Sequence, residues 1–157
     1  MAYWLMKSEP DAYSIDDLKV DRRIPWTGVR NYQARNMIRD QMKKGDMAFF
    51  YHSNCKEPGI AGIIKIAKEA YPDDIKPGDG RKKRPKKNKV LKMNADPANP
   101  TWFVVDVQYQ RKLKRVITLT ELKSHPELEE MPVARKGNRL SITPVSEEQW
   151  NFVLELE

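Results

Sequence analysis

Apolar residues recur along the chain in two rhythms, one of strands and one of helices. Residues 3–7, Tyr-Trp-Leu-Met-Lys, are bulky and β-favouring. They stop at Ser8-Glu9-Pro10, where proline lacks an N–H and steers Glu9 away from helix. That predicts a short first strand. Met47 to Tyr51 is an unbroken apolar run, which predicts a strand over residues 46–52 buried on both faces. From Gly59 to Ala70 one side carries Ile60, Gly62, Ile64 and Ile66 and the other Ala61, Ile63, Lys65 and Ala67, which predicts a long strand over 59–70. Trp102 to Tyr109 predicts another, extending over 102–112, and a short one is expected over 139–143.

The helical rhythm is weaker. Ser14 followed by Asp16 and Asp17 suits a capped helical turn. Arg22 to Arg30 reads as irregular, with Pro25 and Gly28 as breakers. Asn31 then caps a helix to Lys44, with Ala34, Met37, Ile38 and Met42 on one face and Gly45 as its stop. Arg35, Arg39 and Lys43 form a basic stripe along the border of that face. Thr118 to Met131 predicts short helical turns broken around Pro126, and the capping box Ser146-Glu147-Glu148-Gln149 opens a last helix to Leu156. Strands and helices do not alternate regularly, and no repeat is present. The expected fold class is α+β, with one curved, mostly antiparallel sheet flanked by helices.

The length of 157 residues fits one domain. Residues 73–100 are rich in Pro, Gly, Asp, Asn and Lys without periodicity, which predicts a surface insertion over about 74–100. The net charge is +7, from 29 basic and 22 acidic residues. Its location matters more than its size. Arg81 to Lys92 holds eight basic residues and no acid; without them 21 basic residues face 22 acidic ones. The body is close to neutral, and one segment carries the basicity. Such a run is a solvated loop, a phosphate-binding arm, or both.

Several classes of protein fit poorly. No stretch approaches the ~18 apolar residues of a membrane span. The apolar start is too short for a signal peptide, so a cytoplasmic location is expected, nucleoid-associated in a bacterium or nuclear in a eukaryote. The lone Cys55 excludes an internal disulfide, and with only His52 and His125 beside it a structural zinc site is not expected. No cofactor is expected. A Cys–His nucleophile would need Cys55 with His52 or His125, and no third group is placed to orient the base. Phosphate-cradling glycine motifs are missing. Catalysis is therefore not expected.

Binding is better supported. Pro25-Trp26-Thr27-Gly28-Val29-Arg30-Asn31-Tyr32-Gln33-Ala34-Arg35-Asn36 is dense in groups that recognise flat polar ligands. Trp26 offers a stacking face, and Asn31 and Asn36 offer amides that donate and accept together, as a base edge requires. Equally, Trp26 is a core aromatic and Asn31 a plain helix cap on this pattern. Tyr51-His52-Ser53-Asn54 is a second cluster of aromatic and polar groups, or an ordinary strand end.

The motifs from Tyr3 to Pro10, Trp26 to Asn36, Phe49 to Cys55, Pro58 to Gly62, Ala70 to Asp73 and Gly137 to Ile142 resemble the EVE-domain family. That family belongs to the PUA-like superfamily with the YTH domains. The resemblance covers essentially the whole chain and is strongest to the branch of bacterial proteins and thymocyte nuclear proteins. It implies a β-barrel-like sheet with flanking helices in a single domain over 1–157. It also implies a non-catalytic reader that takes one modified nucleobase, thought to be a modified cytosine flipped from DNA, into a pocket. Carried onto this chain, the pocket would draw on Ser8, Trp26, Asn31, Tyr51, His52 and Ser53. Arg35, Arg39, Lys43, Lys82, Lys83, Lys86 and Lys87 would hold phosphates. The family usually has Asp, Pro, Ser and Tyr after the Ala70–Asp73 motif; here the basic run stands in that place. Two other readings remain open on sequence: an RNA-binding module, and an enzyme on a modified nucleotide with His52 as general base.

Overall fold

Strand pairing begins from the alternating segment. In the computed structural model, which describes residues 1–74, 94 and 98–157, that segment is β4 (Gly59–Pro72). It pairs antiparallel with β3 (Met47–His52) on one side and β5 (Phe103–Thr118) on the other. Beyond β3 lies β1 (Tyr3–Ser8), and beyond β1 lies β6 (Ile142–Val145). Beyond β5 lies β2 (Arg23–Pro25). The order β2-β5-β4-β3-β1-β6 makes one six-stranded sheet, open at β2 and β6 rather than closed into a barrel.

All neighbours are antiparallel except β1 and β3, which run parallel from Tyr3↔Met47 to Ser8↔His52. A parallel pair needs a crossover. The crossover here contains helix α1 (Ile15–Asp21), β2 and helix α2 (Tyr32–Asn36). The expected irregularity around Pro25 is in fact β2, an edge strand where proline has no ladder bond to lose. The helix expected to Lys44 is α-helical only to Asn36. It continues as a π-helical turn over Met37–Gln41, closed by Met42 N–H to Met37 O at 2.9 Å. The α-turn overshoots a four-residue repeat and the wider π-turn falls short of it. Their combination keeps Ala34, Ile38 and Met42 all buried.

The sheet separates two apolar layers. Trp4, Met6, Ala48, Phe50, Ile64 and Ile66 face α1 and α2, with Ile15, Leu18, Ala34 and Ile38 packed on them. Leu5, Phe49, Tyr51, Ile60 and Ile63 face the other way. Against them lie α3 (Leu119–Ser124), two 3-10 turns and α4 (Glu147–Leu156), whose Trp150 stacks on Phe49 at 4.0 Å. Helix α1 sits so close that a Cβ on Gly62 would lie 2.5 Å from Ile15 Cδ1. Only a glycine leaves room there.

Asp46 is buried, at 4% exposure, just ahead of β3. Its Oδ1 accepts from Ala2 N–H (3.1 Å), and its Oδ2 from Trp4 Nε1 (3.1 Å) and Lys43 N–H (2.9 Å). Asp46→Asn puts an NH2 group against at least one of these donors in either amide orientation. A buried donor left unpaired costs about 1–3 kcal/mol. A thermal melt should show that loss, and an unchanged midpoint would mean the carboxylate does not bind these elements together.

Candidate functional site

Parallel pairing brings the C-terminal ends of β1 and β3 side by side. Ser53 N–H donates to Ser8 O at 3.0 Å, and the Ser8 hydroxyl donates to Tyr13 O at 2.6 Å. Beside them His52 accepts from Ile15 N–H through Nε2 at 3.1 Å, the first N–H of α1. The ring is therefore neutral, with its proton on Nδ1. Burial lowers its pKa further below the ordinary imidazole range. The ring also meets the edge of Phe50 (centroids 5.6 Å), and Phe50 in turn meets Trp26 at 5.6 Å. Trp26, Phe50 and His52 thus form one connected row of rings on the α1/α2 side of the sheet, with Ser8 beside His52 in the strand register.

The other expected pocket residues are placed differently. Trp26 itself is 2% exposed and belongs to the core, with its backbone N–H on Val105 O. Asn31 is exposed and is the N-cap of α2, its Oδ1 accepting from Ala34 N–H at 3.0 Å. Tyr51 points to the opposite layer, where burial, followed by the nearby Cys55, pushes its hydroxyl up to about 12. Lys7 hangs over that ring at 6.0 Å, and burial pulls its ammonium down.

The basic stripe is partly engaged. Arg35 donates through Nε to Asn36 Oδ1 (2.8 Å) and through Nη1 to Thr101 O (2.9 Å). Arg39 makes a paired contact with Asp40 at 2.8 and 2.9 Å, which holds the Asp40 carboxyl below its usual range. Lys43 is exposed. Lys82, Lys83, Lys86 and Lys87 lie outside the described residues. The basic run on β5 is matched by acids: Arg111 with Glu157, Lys112 with Asp16 and Arg115 with Glu121.

Two residues outside the sequence-based set shape the same region. Asp73 is fully buried; its Oδ2 accepts from Gly28 N–H (3.0 Å) and Arg30 Nη1 (2.8 Å), while Oδ1 has no hydrogen-bond partner among the described residues. Asn94 clasps the two ends of the insertion. It accepts from Thr101 and Trp102 N–H (2.8 and 2.7 Å) and donates to Asp73 O and Trp102 O (3.3 and 3.1 Å). A lone Asp after Ala70-Tyr71-Pro72 and a lone Asn in a loop give no periodic signal; only the fold shows what they join.

A cleft of about 340 Å3 opens at the other end of β1, between Tyr3, Trp4, Gln41, Pro144 and Val145. It is remote from His52 and Ser8. Among the described residues, no three His, Cys, Asp or Glu side chains gather to hold a metal, and no helix is long and apolar enough to cross a membrane.

An open, mostly antiparallel sheet with helices on both faces and this motif set defines a known class. The family model for the EVE domain matches residues 2–156, and the chain belongs to the EVE domain family. Human thymocyte nuclear protein 1 is 45% identical over 99% of this chain and 74% of its own length. A crystal structure of a Pseudomonas syringae protein is 46% identical, covers 99% of both chains and superposes with a TM-score of 0.86. The crystal structure of human THYN1 protein in complex with 5-methylcytosine-containing DNA is 45% identical, covers 99% of this chain and 97% of that one, and has a TM-score of 0.81.

The His52 cap makes stability depend on pH. Unfolded imidazole takes a proton near pH ~6.5, and the folded ring resists it. Below that value the unfolded state holds more protons, so acid favours unfolding. The contribution is complete above the ordinary imidazole pKa and fades as the pH falls through the window beneath it. Melts from about pH 8 to about pH 5 should show the decline, and His52→Gln should flatten it. An identical slope in the variant would assign the decline to other groups.

Proposed function

We propose that this chain is a non-catalytic nucleic-acid-binding module that holds one modified base, a modified cytosine displaced from DNA. The observation that carries this reading is the similar human protein solved with 5-methylcytosine-containing DNA. The row of Trp26, Phe50 and His52, with Ser8 beside it, supports it from the residues upward. A base inside a duplex hides its faces, and extruding it costs a few kcal/mol. Stacking on an aromatic returns roughly 1–3 kcal/mol, and phosphate contacts supply the remainder.

Trp26 is the stacking wall in this reading, with His52 linked to it through Phe50. Tyr51, turned to the other layer, supports the strand end from behind. Ser8, Ser53 and the amide of Asn31 read polar edges; Asn31 Nδ2 makes no hydrogen bond to a described residue. Asp73 Oδ1 is a further acceptor within reach of the Trp26–Arg30 loop. The basic nitrogen of His52 caps α1, so it is not available as a general base, which favours a binder over an enzyme.

Trp26→Ala removes a core ring and should cost about 3–5 kcal/mol of folding stability, so it is a poor probe of binding. Trp26→Phe and Ser53→Ala are the informative variants. With near-native melts, both should weaken a 5-methylcytosine oligonucleotide by part of the ~1–3 kcal/mol stacking or ~0.5–1.5 kcal/mol hydrogen-bond contribution. Plain DNA held through phosphates should change little. Equal loss on modified DNA, plain DNA and RNA would defeat the pocket assignment.

The basic segment plays a separate part in the proposal. Neutralising Lys82, Lys83, Lys86 and Lys87 together should weaken modified and plain DNA about equally. The slope of log affinity against log salt should flatten by roughly 0.7–0.9 for each phosphate contact removed. An unchanged slope would leave the segment as a solvated loop.

A further inference from the structure

Tyr32 is the one exposed aromatic ring among the described residues, at 61% exposure, and it is not a loose one. It packs on Trp102 with centroids 5.1 Å apart and planes inclined at 34°. Trp102 is buried and lies under the Arg30 guanidinium at 5.4 Å. On Tyr32 itself rests the Arg35 guanidinium, 5.1 Å from the ring centroid. Arg30, Trp102, Tyr32 and Arg35 therefore form a column of two adjacent rings with a guanidinium at each end. Its inner end is fixed by Asp73, which holds Arg30, and its outer end reaches solvent.

Arg35 has an unusual share in this column. Its Nε and Nη1 donors are engaged by Asn36 and Thr101, which fixes the plane of the guanidinium. A guanidinium held in this way offers a flat charged face more than a fork for phosphate. Exposed rings and guanidinium planes are the surfaces on which unpaired bases stack. The column also stands close to the proposed pocket: Trp102 O accepts from Asp73 N–H, and Asp73 accepts from Gly28 N–H, two residues beyond Trp26.

We propose that Tyr32 and Arg35 form a second stacking platform, which takes an unpaired nucleobase neighbouring the one held at Trp26. This rests on the proposed function. A base drawn out of a duplex breaks two stacks, and a platform beside the pocket replaces one of them for the adjacent nucleotide.

The test uses the full chain and oligonucleotides carrying 5-methylcytosine with 2-aminopurine on its 5′ or its 3′ side, together with the same pairs containing plain cytosine. 2-Aminopurine fluorescence falls when the base stacks. The wild-type chain should quench the probe at one of the two positions. Tyr32→Ala and Tyr32→Leu should abolish that quenching and weaken binding roughly 5- to 150-fold, while Tyr32→Phe keeps both. Leucine preserves apolar contact with Trp102, so a fold defect limited to the alanine variant would show in its melt and leave leucine as the probe. The ratio of modified to plain affinity should stay unchanged in all three variants. Quenching and affinity that survive in the leucine variant overturn the platform. A wild-type ratio of one, with Tyr32→Leu still weakening both strands, would instead remove the pocket reading and leave the platform standing. A wild-type chain that binds no oligonucleotide overturns both.

Discussion

Three N–H groups from three parts of the chain converge on the carboxylate of Asp46. Ala2 lies ahead of β1, Trp4 within it, and Lys43 just past the π-helical turn. Asp46 itself opens β3, where its carbonyl accepts from Ile66 N–H of β4. A single buried anion thus fixes where the crossover ends and where β3 begins against β1. The register from Tyr3↔Met47 onward follows from that start. Five pairs later the same register sets Ser8 beside His52, so the position of the proposed pocket is decided at the far end of the strands. A one-residue slip would turn every side chain of β3 to the opposite layer.

The wall of the site is also the wall of the core. Trp26, Phe50 and His52 touch edge to face in sequence, with the first two buried and the third half-buried at the strand end. Rings already packed against one another have little freedom left to lose, which would preorganise the proposed pocket. The same sharing makes the residues hard to separate by mutation, since a large truncation at Trp26 opens a cavity beneath the helices. Electrostatics are divided more cleanly. On β5 Arg111, Lys112 and Arg115 are matched by nearby carboxylates, whereas the segment from Arg81 to Lys92 carries the net positive charge.

Much of this was legible in the residue pattern. Period-two alternation marks β4 from Gly62 onward, while a bulge at Ala61 turns Ile60 to the layer of Ile63 and Ala61 to that of Ile64, against the simple alternation; the apolar run marks β3, and Ser14, Asn31 and Ser146 cap the helices expected of them. The polar half of β5 was not, because its exposed Arg and Lys side chains are matched across elements rather than along the strand. Nor was the parallel β1–β3 pair, since pairing direction depends on a crossover and not on either strand. For the site, strand parity already forbids Tyr51 and His52 from lining one pocket, as adjacent residues face opposite layers. Motif likeness groups them; geometry divides them. Asp46 and Asn94 had no readable signal, and Asp73 only that of a shared motif, because a single polar residue in a loop acquires its meaning from the groups that the fold brings to it.

Asn94 carries one more consequence. By holding Asp73 and Trp102 through five short contacts, counting Asp74, it returns the chain to the sheet at the point where it left. Lengthening the span between those anchors changes its closure entropy only slowly, by about 0.6 kcal/mol for each doubling. Closure is therefore set at the two ends, by Asn94 on Asp73 and Trp102, and only weakly by the length of chain between them.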